Sequence, residues 1–392
     1  MRGPPGRREG KRAVPLRDHA DADLRAGPDA VERRLLLDRL ALADFRNFSH
    51  LVFEPSGGWD LLLGANGAGK TSILEALYLV ATTRSFRTAE LGDCVRRGSG
   101  GASIAASCSG PPRRDLRLAL AEGRKRRSVD GKTTTLAEHV AVLPILAWTH
   151  AEHELVLGPP ALRRRFLDRA LVHARRGALA DLARYERALS SKRALLSGLA
   201  SGPLAPWNEL LAEHGARLAT ARRELVRRLA LELEQVRAGL AIALPPLAAR
   251  YRPSLAESLA GPEALLDRLA AAENEERRRG RPIYGVHRDD LELEWDGSPA
   301  RATASVGERK AFGLLLLAAL ARVARSAAGQ APLVVLDDVD AELDRDRLEG
   351  LLGAFAGLPQ GFLTSSRKEL WRPRPGLAAW SVADSRVEAV NL

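Results

Sequence analysis

The segment Gly64-Ala65-Asn66-Gly67-Ala68-Gly69-Lys70-Thr71 has the residue types and spacing that hold phosphate groups. Its glycines let backbone N–H groups turn inward, and a helix starting at the lysine adds the positive end of its dipole. Lys70 would reach the outer phosphates of a nucleotide and Thr71 would offer its hydroxyl to Mg²⁺. About 270 residues later, Leu333-Val334-Val335-Leu336 carries Asp337 and Asp338 to the end of an apolar run. Asp337 suits a metal held through water, and Asp338, pointing elsewhere, suits orientation or deprotonation of an attacking water. Asp338 would alternatively cap a following helix. Shortly before these acids, Ser305-Val306-Gly307-Glu308 reads as a capping box, with Ser305 as N-cap and Glu308 three residues on. A Ser-x-Gly at a helix start is also an anion site. A chain with one phosphate loop has use for a second cradle if that cradle serves a nucleotide held by another copy of the same chain.

These groups need a scaffold. Leu35–Leu42 reads as a strand with Leu51-Val52-Phe53 as its partner, and Trp59–Leu63 as a short buried strand feeding the phosphate loop. A helix follows with Ile73, Leu74, Leu77 and Val80 on one face. Short strands over roughly 101–148 are broken by Pro111-Pro112 and Asp130-Gly131. From Pro160 to about Arg279 the pattern is long, helical and charged. Alternation resumes at Leu291–Trp295 with Asp296-Gly297 as a turn; a helix over about Glu308–Ala324, the acidic strand and a last short strand at Phe362-Leu363-Thr364 complete the reading. The expected organisation is an α/β head, a mixed sheet with flanking helices, in two parts (35–160 and 281–392) around an inserted, mainly helical arm (161–280). Residues 1–34, rich in Arg, Pro, Gly and Asp, read as a disordered basic extension or a mis-called start rather than as part of the fold.

The 392 residues are 45% hydrophobic, enough for a sizeable core. No run of about 18 uncharged apolar residues is present, so no membrane span is expected. Cys94 and Cys108, without metal-ligand spacing and without an apolar leader, fit a reduced, cytoplasmic protein. The net charge of +11 favours an anionic partner, nucleic acid above all; free use of arginine by a GC-rich genome is the alternative. Candidate duplex contacts are Arg124, Lys125, Arg126 and Arg127 in the strand region, and Arg163, Arg164 and Arg165 on the arm. Aromatic content of 5% disfavours a base-stacking platform for single strands.

Several segments are similar to the RecF family, bacterial recombination-repair ATPases of the SMC/ABC group. They are Asp44-Phe45-Arg46-Asn47, the phosphate loop continuing through Leu74–Tyr78 and Thr83–Thr88, Arg163–Asp168, Gly285-Val286-His287-Arg288-Asp289-Asp290, and Leu336–Val339 with Glu342-Leu343-Asp344. The similarity runs from about Leu35 to about Thr364. It implies that Arg46 and Asn47 lie beside the nucleotide phosphates, and that Ser305 and Gly307 contact the γ-phosphate in the opposite subunit. Asp344 would lie at the dimer seam. It further implies ATP and Mg²⁺ as ligands, an ATP-dependent homodimer, duplex DNA near single-strand gaps, and RecO and RecR as partners in RecA loading, replication restart and the SOS response. The family's Ser-Gln-Gly-Gln-Gln reads Ser-Val-Gly-Glu-Arg here, with Val306 and Glu308 in place of glutamines. An enzyme acting on DNA through a long coiled coil is disfavoured by the short arm without heptads, and a transporter ATPase by the arm's arginine density.

Overall fold

The computed structural model describes residues 35–121, 123–256 and 261–392; the segment 1–34, read as an extension, lies outside the described residues. The chain opens with a hairpin of β1 (Leu36–Phe45) and β2 (Phe48–Phe53), the strand pair the sequence predicts, in a register that sets Leu40 opposite Phe53 and Leu42 opposite Leu51. After β3 (Trp59–Leu63) and α1 (Lys70–Thr82) come β4 (Gly101–Ser109), β5 (Arg114–Ala121), β6 (Arg124–Val129) and β7 (Lys132–Thr133). With the hairpin they form a six-stranded antiparallel sheet in the order β2-β1-β4-β5-β6-β7. Its strands alternate: Ile104, Ala106, Leu116, Leu118 and Leu120 point inward, while Ser103, Arg117, Ala119, Arg124 and Arg126 are exposed on the other face.

The chain then builds α2 (Leu136–Val140), β8 (Ile145–Trp148), α3 (His150–His153), α4 (Pro160–Ala174), α5 (Ala178–Leu196) and the 34-residue α6 (Ala205–Ala238). β9 (Leu247–Arg252), α7 (Pro262–Ala271) and α8 (Glu273–Arg279) follow, and then β10 (Asp290–Trp295), β11 (Ser298–Pro299) and α9 (Ala300–Thr303). The last elements are α10 (Val306–Ala328), β12 (Leu333–Leu336), α11 (Arg345–Leu352), β13 (Gly361–Ser365), β14 (Leu377–Ala383) and β15 (Arg386–Val390). The second sheet has the order β15-β14-β3-β13-β12-β8, parallel except for its edge strand β15. Both faces of its central strands are covered, which is why they read as unbroken apolar runs.

Helix α1 is the layer between the two sheets. The sequence predicts one apolar face, but the helix is buried on all sides, Ser72 and Glu75 included, because a sheet lies on either side of it. The opposite face of the parallel sheet packs on α10, α4 and the C-terminal half of α6 through Leu336, Phe312, Leu315, Phe166, Leu229 and Leu233. Helix α10 is long and apolar enough to cross a membrane, yet 72% of its apolar window is buried in this core. The N-terminal half of α6 instead joins α5 and α7 in a separate cluster around Tyr185, Leu189, Leu211 and Leu265. The helical stretch thus has a root inside the head core and a tip with its own small core. One strand interrupts it: β9, directly after Pro245-Pro246, pairs antiparallel with β10, Leu247 opposite Trp295. The β14–β15 hairpin, turning at Asp384 and Ser385 with φ of 47° and 61°, has no Asn-Gly or Asp-Gly signal and is legible only in the structure. Both cysteines are buried, which pushes the Cys94 thiol up to about 11 and the Cys108 thiol up to about 12.

Candidate nucleotide site

The phosphate loop connects β3 to α1. Gly67 and Gly69 hold φ of 82° and 110°, which side chains rarely adopt. A Cβ on Gly69 would also meet Asn47 Nδ2 and the Phe48 ring at 2.7 Å, so the β1–β2 hairpin turn is pressed against the loop. Gly64 is likewise crowded by the Val382 carbonyl of β14. Gly64, Ala65 and Ala68 frame the loop: the Ala68 N–H donates to Ala65 O at 3.2 Å, and Lys70 Nζ donates to Gly64 O at 2.7 Å and Ala65 O at 3.0 Å. Asn66, Gly67, Gly69, Lys70 and Thr71 line a cleft of about 700 Å³ together with Arg46, Asn47, Arg87, Arg96, Arg97 and Asp338. Burial lowers the pKa of the Lys70 ammonium, against the opposing pull of Asp338, Asp337 and Asp340.

Asp337 and Asp338 diverge at the end of β12. The Asp337 carboxylate accepts hydrogen bonds from Thr71 Oγ1 at 2.9 Å and Thr364 Oγ1 at 2.7 Å. Burial raises its pKa above the usual carboxylate range, with the neighbouring Asp338 charge adding to the effect. Asp338, at φ 45°, turns to the cleft; its N–H donates to Thr364 Oγ1 at 2.8 Å, and its carboxylate has no hydrogen bond among the described residues. It does not cap a helix. The N-cap of α11 is Asp344, whose Oδ1 accepts the Arg347 N–H at 2.8 Å. Thr364, buried at the end of β13, bridges both acids because that strand lies between β3 and β12, with Leu363 opposite Leu336. The sequence shows a hydroxyl after an apolar run there, but nothing in the pattern says which strand it adjoins.

Glu75 is the larger omission of the sequence reading. Fully buried on α1, its carboxylate accepts from Arg46 Nε at 2.8 Å and Nη2 at 2.6 Å, from Ser85 Oγ at 2.5 Å and from Arg87 Nη1 at 3.3 Å. Arg46 Nη1 also donates to Asp93 O at 2.6 Å. One carboxylate therefore fixes two arginines at the rim of the cleft and ties Thr83–Thr88 to the phosphate-loop helix. The signal available was a lone acid among apolar residues of a helix.

Ser305 and Gly307 do not line this cleft. Ser305 caps α10: its N–H donates to Glu308 Oε2 at 2.7 Å, and its Oγ accepts the Glu308 N–H at 3.4 Å. These bonds hold the Glu308 carboxyl below its usual range. The α carbon of Gly307 faces Glu342 O and Arg347, so the α10 N-terminus and the Asp344 turn are neighbours.

Two of the three arginines that open the arm are occupied. Arg163, 7% exposed, donates through Nε and Nη2 to the Asp290 carboxylate at 2.7 and 3.0 Å and through Nη1 to Leu155 O and Gly158 O. Arg164 donates to Asp289 O at 2.7 Å, and the exposed Arg165 to Ala161 O at 3.4 Å. The expectation of a phosphate-binding triplet is corrected for Arg163 and Arg164: their helix starts at the junction of arm and head, where acids and carbonyls claim both. Arg222 of α6 completes that junction, with Nε and Nη2 on the Asp168 carboxylate at 2.8 and 2.9 Å and Nη1 on Val286 O at 2.8 Å. Removing one partner of so buried a pair costs about 3 kcal/mol. Arg222→Ala is expected to lower the unfolding free energy in urea by about that much, and an unchanged denaturation midpoint would contradict this reading of the joint. On β6 the strand alternation splits the other group: Lys125 Nζ reaches Thr83 O at 3.1 Å and Arg127 Nε reaches Thr134 O at 3.0 Å, while Arg124 and Arg126 project from the opposite, open face.

A parallel sheet carrying a phosphate loop, an acid pair two strands away, an antiparallel sheet over the loop helix and a helical insertion define a P-loop head of the SMC/ABC type. The family described as RecF/RecN/SMC N terminal domain matches residues 36–372. The DNA replication and repair protein RecF of Acidothermus cellulolyticus is 36% identical over 352 residues, which cover 86% of this chain and 95% of that protein. RecF of Anaeromyxobacter sp. (strain Fw109-5) is 37% identical over 346 residues, covering 86% and 94%. The chain belongs to the RecF family. Its fold is that of a solved structure described as the recombination mediator protein RecF-ATPrS in the RecFOR pathway, with a TM-score of 0.79, 23% identity, and 91% and 98% of the two chains covered. It is also similar to a Pyrococcus furiosus Smc head domain with an extended coiled coil, with a TM-score of 0.51 and 16% identity over 91% and 96%.

Proposed function

We propose that this protein is an ATP-driven DNA-binding switch of recombinational repair. Two copies close around ATP, the closed form binds duplex DNA near single-strand gaps, and slow hydrolysis at Asp338 reopens it without any chemistry on the DNA. The observation that carries this reading is the placement of Ser305 and Gly307 outside their own cleft, beside the Asp344 turn, where a second copy would meet them. The names of its relatives support a role in DNA replication and repair, and the RecFOR pathway named for a solved structure of similar fold supports RecO and RecR as partners. In this reading the switch serves RecA loading, replication restart and the SOS response in the cytoplasm.

Each residue then has a task. Backbone N–H groups of Asn66–Lys70 and the Lys70 ammonium hold the phosphates. The Thr71 hydroxyl and Asp337 carboxylate, in contact in the structure, are hard oxygen donors suited to Mg²⁺, which would supply charge neutralisation at the phosphates. Asp338 orients the attacking water and accepts its proton, and Arg46 and Arg87 add positive charge at the rim.

Size-exclusion chromatography with light scattering tests the reading. The chain is expected to run as a monomer alone and as a dimer with a non-hydrolysable ATP analogue; a monomer under saturating analogue would overturn it. DNA contact has its own test. Arg124→Glu with Arg126→Glu should weaken duplex binding at least 10-fold and reduce the slope of log K against log salt by about 2. Lys125→Gln, whose ammonium is already held by Thr83 O, should change the slope by less than 1. Fluorescence anisotropy between about 50 and 200 mM salt reads both, and an unchanged slope in the double variant would remove this face from the account.

A further inference from the structure

Lys310 stands five residues past Ser305 on α10 and is 3% exposed, among Ala311, Phe312, Leu314 and Leu315. Burying an ammonium in such company is costly unless it is fully bonded. Its Nζ donates to Asp338 O at 3.0 Å and to Ala341 O at 2.6 Å. Both acceptors lie on the loop from the acidic strand to α11. That loop holds two non-glycine residues at positive φ, Asp338 at 45° and Glu342 at 65°, a conformation that persists only when the surroundings fix it. Its far side is fixed by Ser365 Oγ and Arg367 Nε, which donate to Asp340 at 2.7 and 3.2 Å, and by Arg367 Nη2 on Leu343 O at 3.3 Å. Its near side is fixed by Lys310.

We propose that Lys310 is a positioning residue that couples the N-terminus of α10 to Asp338 of the same subunit. Resting on the composite-site reading above, the argument is geometric. Ser305 and Gly307 meet the nucleotide of the partner copy, α10 is a single rigid helix from there through Lys310, and Lys310 grips the backbone of the residue that acts on the subunit's own nucleotide. Seating of one nucleotide therefore adjusts the acid at the other, and hydrolysis in the two pockets is cooperative. The ordinary role of a buried, bonded lysine is to hold a loop in shape; coupling adds that the hold is transmitted from the seam.

The test compares the full-length chain with Lys310→Met and Lys310→Arg. Wild type mixed with excess Lys70→Met, where each mixed dimer holds one nucleotide, is expected to turn over ATP about 10-fold more slowly per filled pocket than the wild-type dimer. In Lys310→Met, the affinity for a fluorescent ATP analogue and the analogue-induced dimer mass should stay close to wild type, while the melting temperature falls modestly because two carbonyls lose their donor. Its kcat should fall about 10- to 100-fold, as for loss of charge-assisted hydrogen bonds, and mixing it with Lys70→Met should slow each filled pocket no further. Lys310→Arg, which keeps the donors and charge, should restore part of both. Unchanged kcat in Lys310→Met would overturn the proposal, as would full wild-type turnover per filled pocket in the mixture of wild type with Lys70→Met. Loss of nucleotide affinity in Lys310→Met in step with its melting temperature would show a purely structural lysine and also overturn it. If the wild type fails to dimerise with the analogue, the composite site itself is what fails.

Discussion

Asp338→Asn is expected to reduce ATP turnover about 10³-fold, the order for removing a general base, while leaving the nucleotide bound and the two copies locked together. The asparagine keeps the size of the side chain and an acceptor oxygen, but not its basicity. The backbone around it does not depend on the carboxylate: the Asp338 N–H is held by Thr364 and its carbonyl by Lys310. Loss of the charge therefore stops the chemical step without dismantling the loop. Phosphate release measured beside filter-retained nucleotide separates the two effects. Turnover within 10-fold of wild type would remove Asp338 from the catalytic role.

Lys70→Met is expected to act one step earlier, lowering ATP affinity about 10- to 100-fold, the worth of a charge-assisted hydrogen bond to phosphate, and with it preventing dimer formation. The methionine stem fills the same space in a site that is 5% exposed, so the loop keeps its packing against Asn47 and Phe48. Titration calorimetry reads the affinity. Wild-type affinity in Lys70→Met would mean that the loop glycines alone hold the phosphates. The two variants separate binding from hydrolysis: Asp338→Asn should accumulate the closed dimer that Lys70→Met never reaches.

Much of this site is legible in the chain because its parts are local. A glycine-rich loop between an apolar strand and a helix needs no tertiary information, nor does an acid pair ending four apolar residues, nor a Ser-x-x-Glu capping box. What stays hidden depends on which strands become neighbours. Thr364 matters because β13 lies between β3 and β12, and Glu75 because Arg46 and Arg87, far apart in sequence, converge on it. The charge clusters mislead for the same reason. Arg163 and Arg164 look free in sequence, but Asp289 and Asp290, more than 120 residues away, occupy them. Lys125 and Arg127 differ from Arg124 and Arg126 only through the period of two of a strand whose inner side faces the ends of α1 and α2.

The central claim is that each pocket is built from two copies, the phosphate loop of one and the Ser305 helix of the other. Mixing two inactive variants tests it most directly. Lys70→Met lacks a working phosphate loop but keeps Ser305; Ser305→Arg keeps the loop but blocks the helix end. Each alone should hydrolyse ATP at background rate. In a mixed dimer one pocket combines the intact loop of the second variant with the intact helix end of the first, so the equimolar mixture should regain turnover that neither shows alone, slowed about 10-fold per filled pocket because the second variant's own helix end is blocked and its Lys310 has no seated nucleotide to relay. A mixture as inactive as its components, with both variants folded, would contradict the composite pocket and return Ser305 to the role of a helix cap.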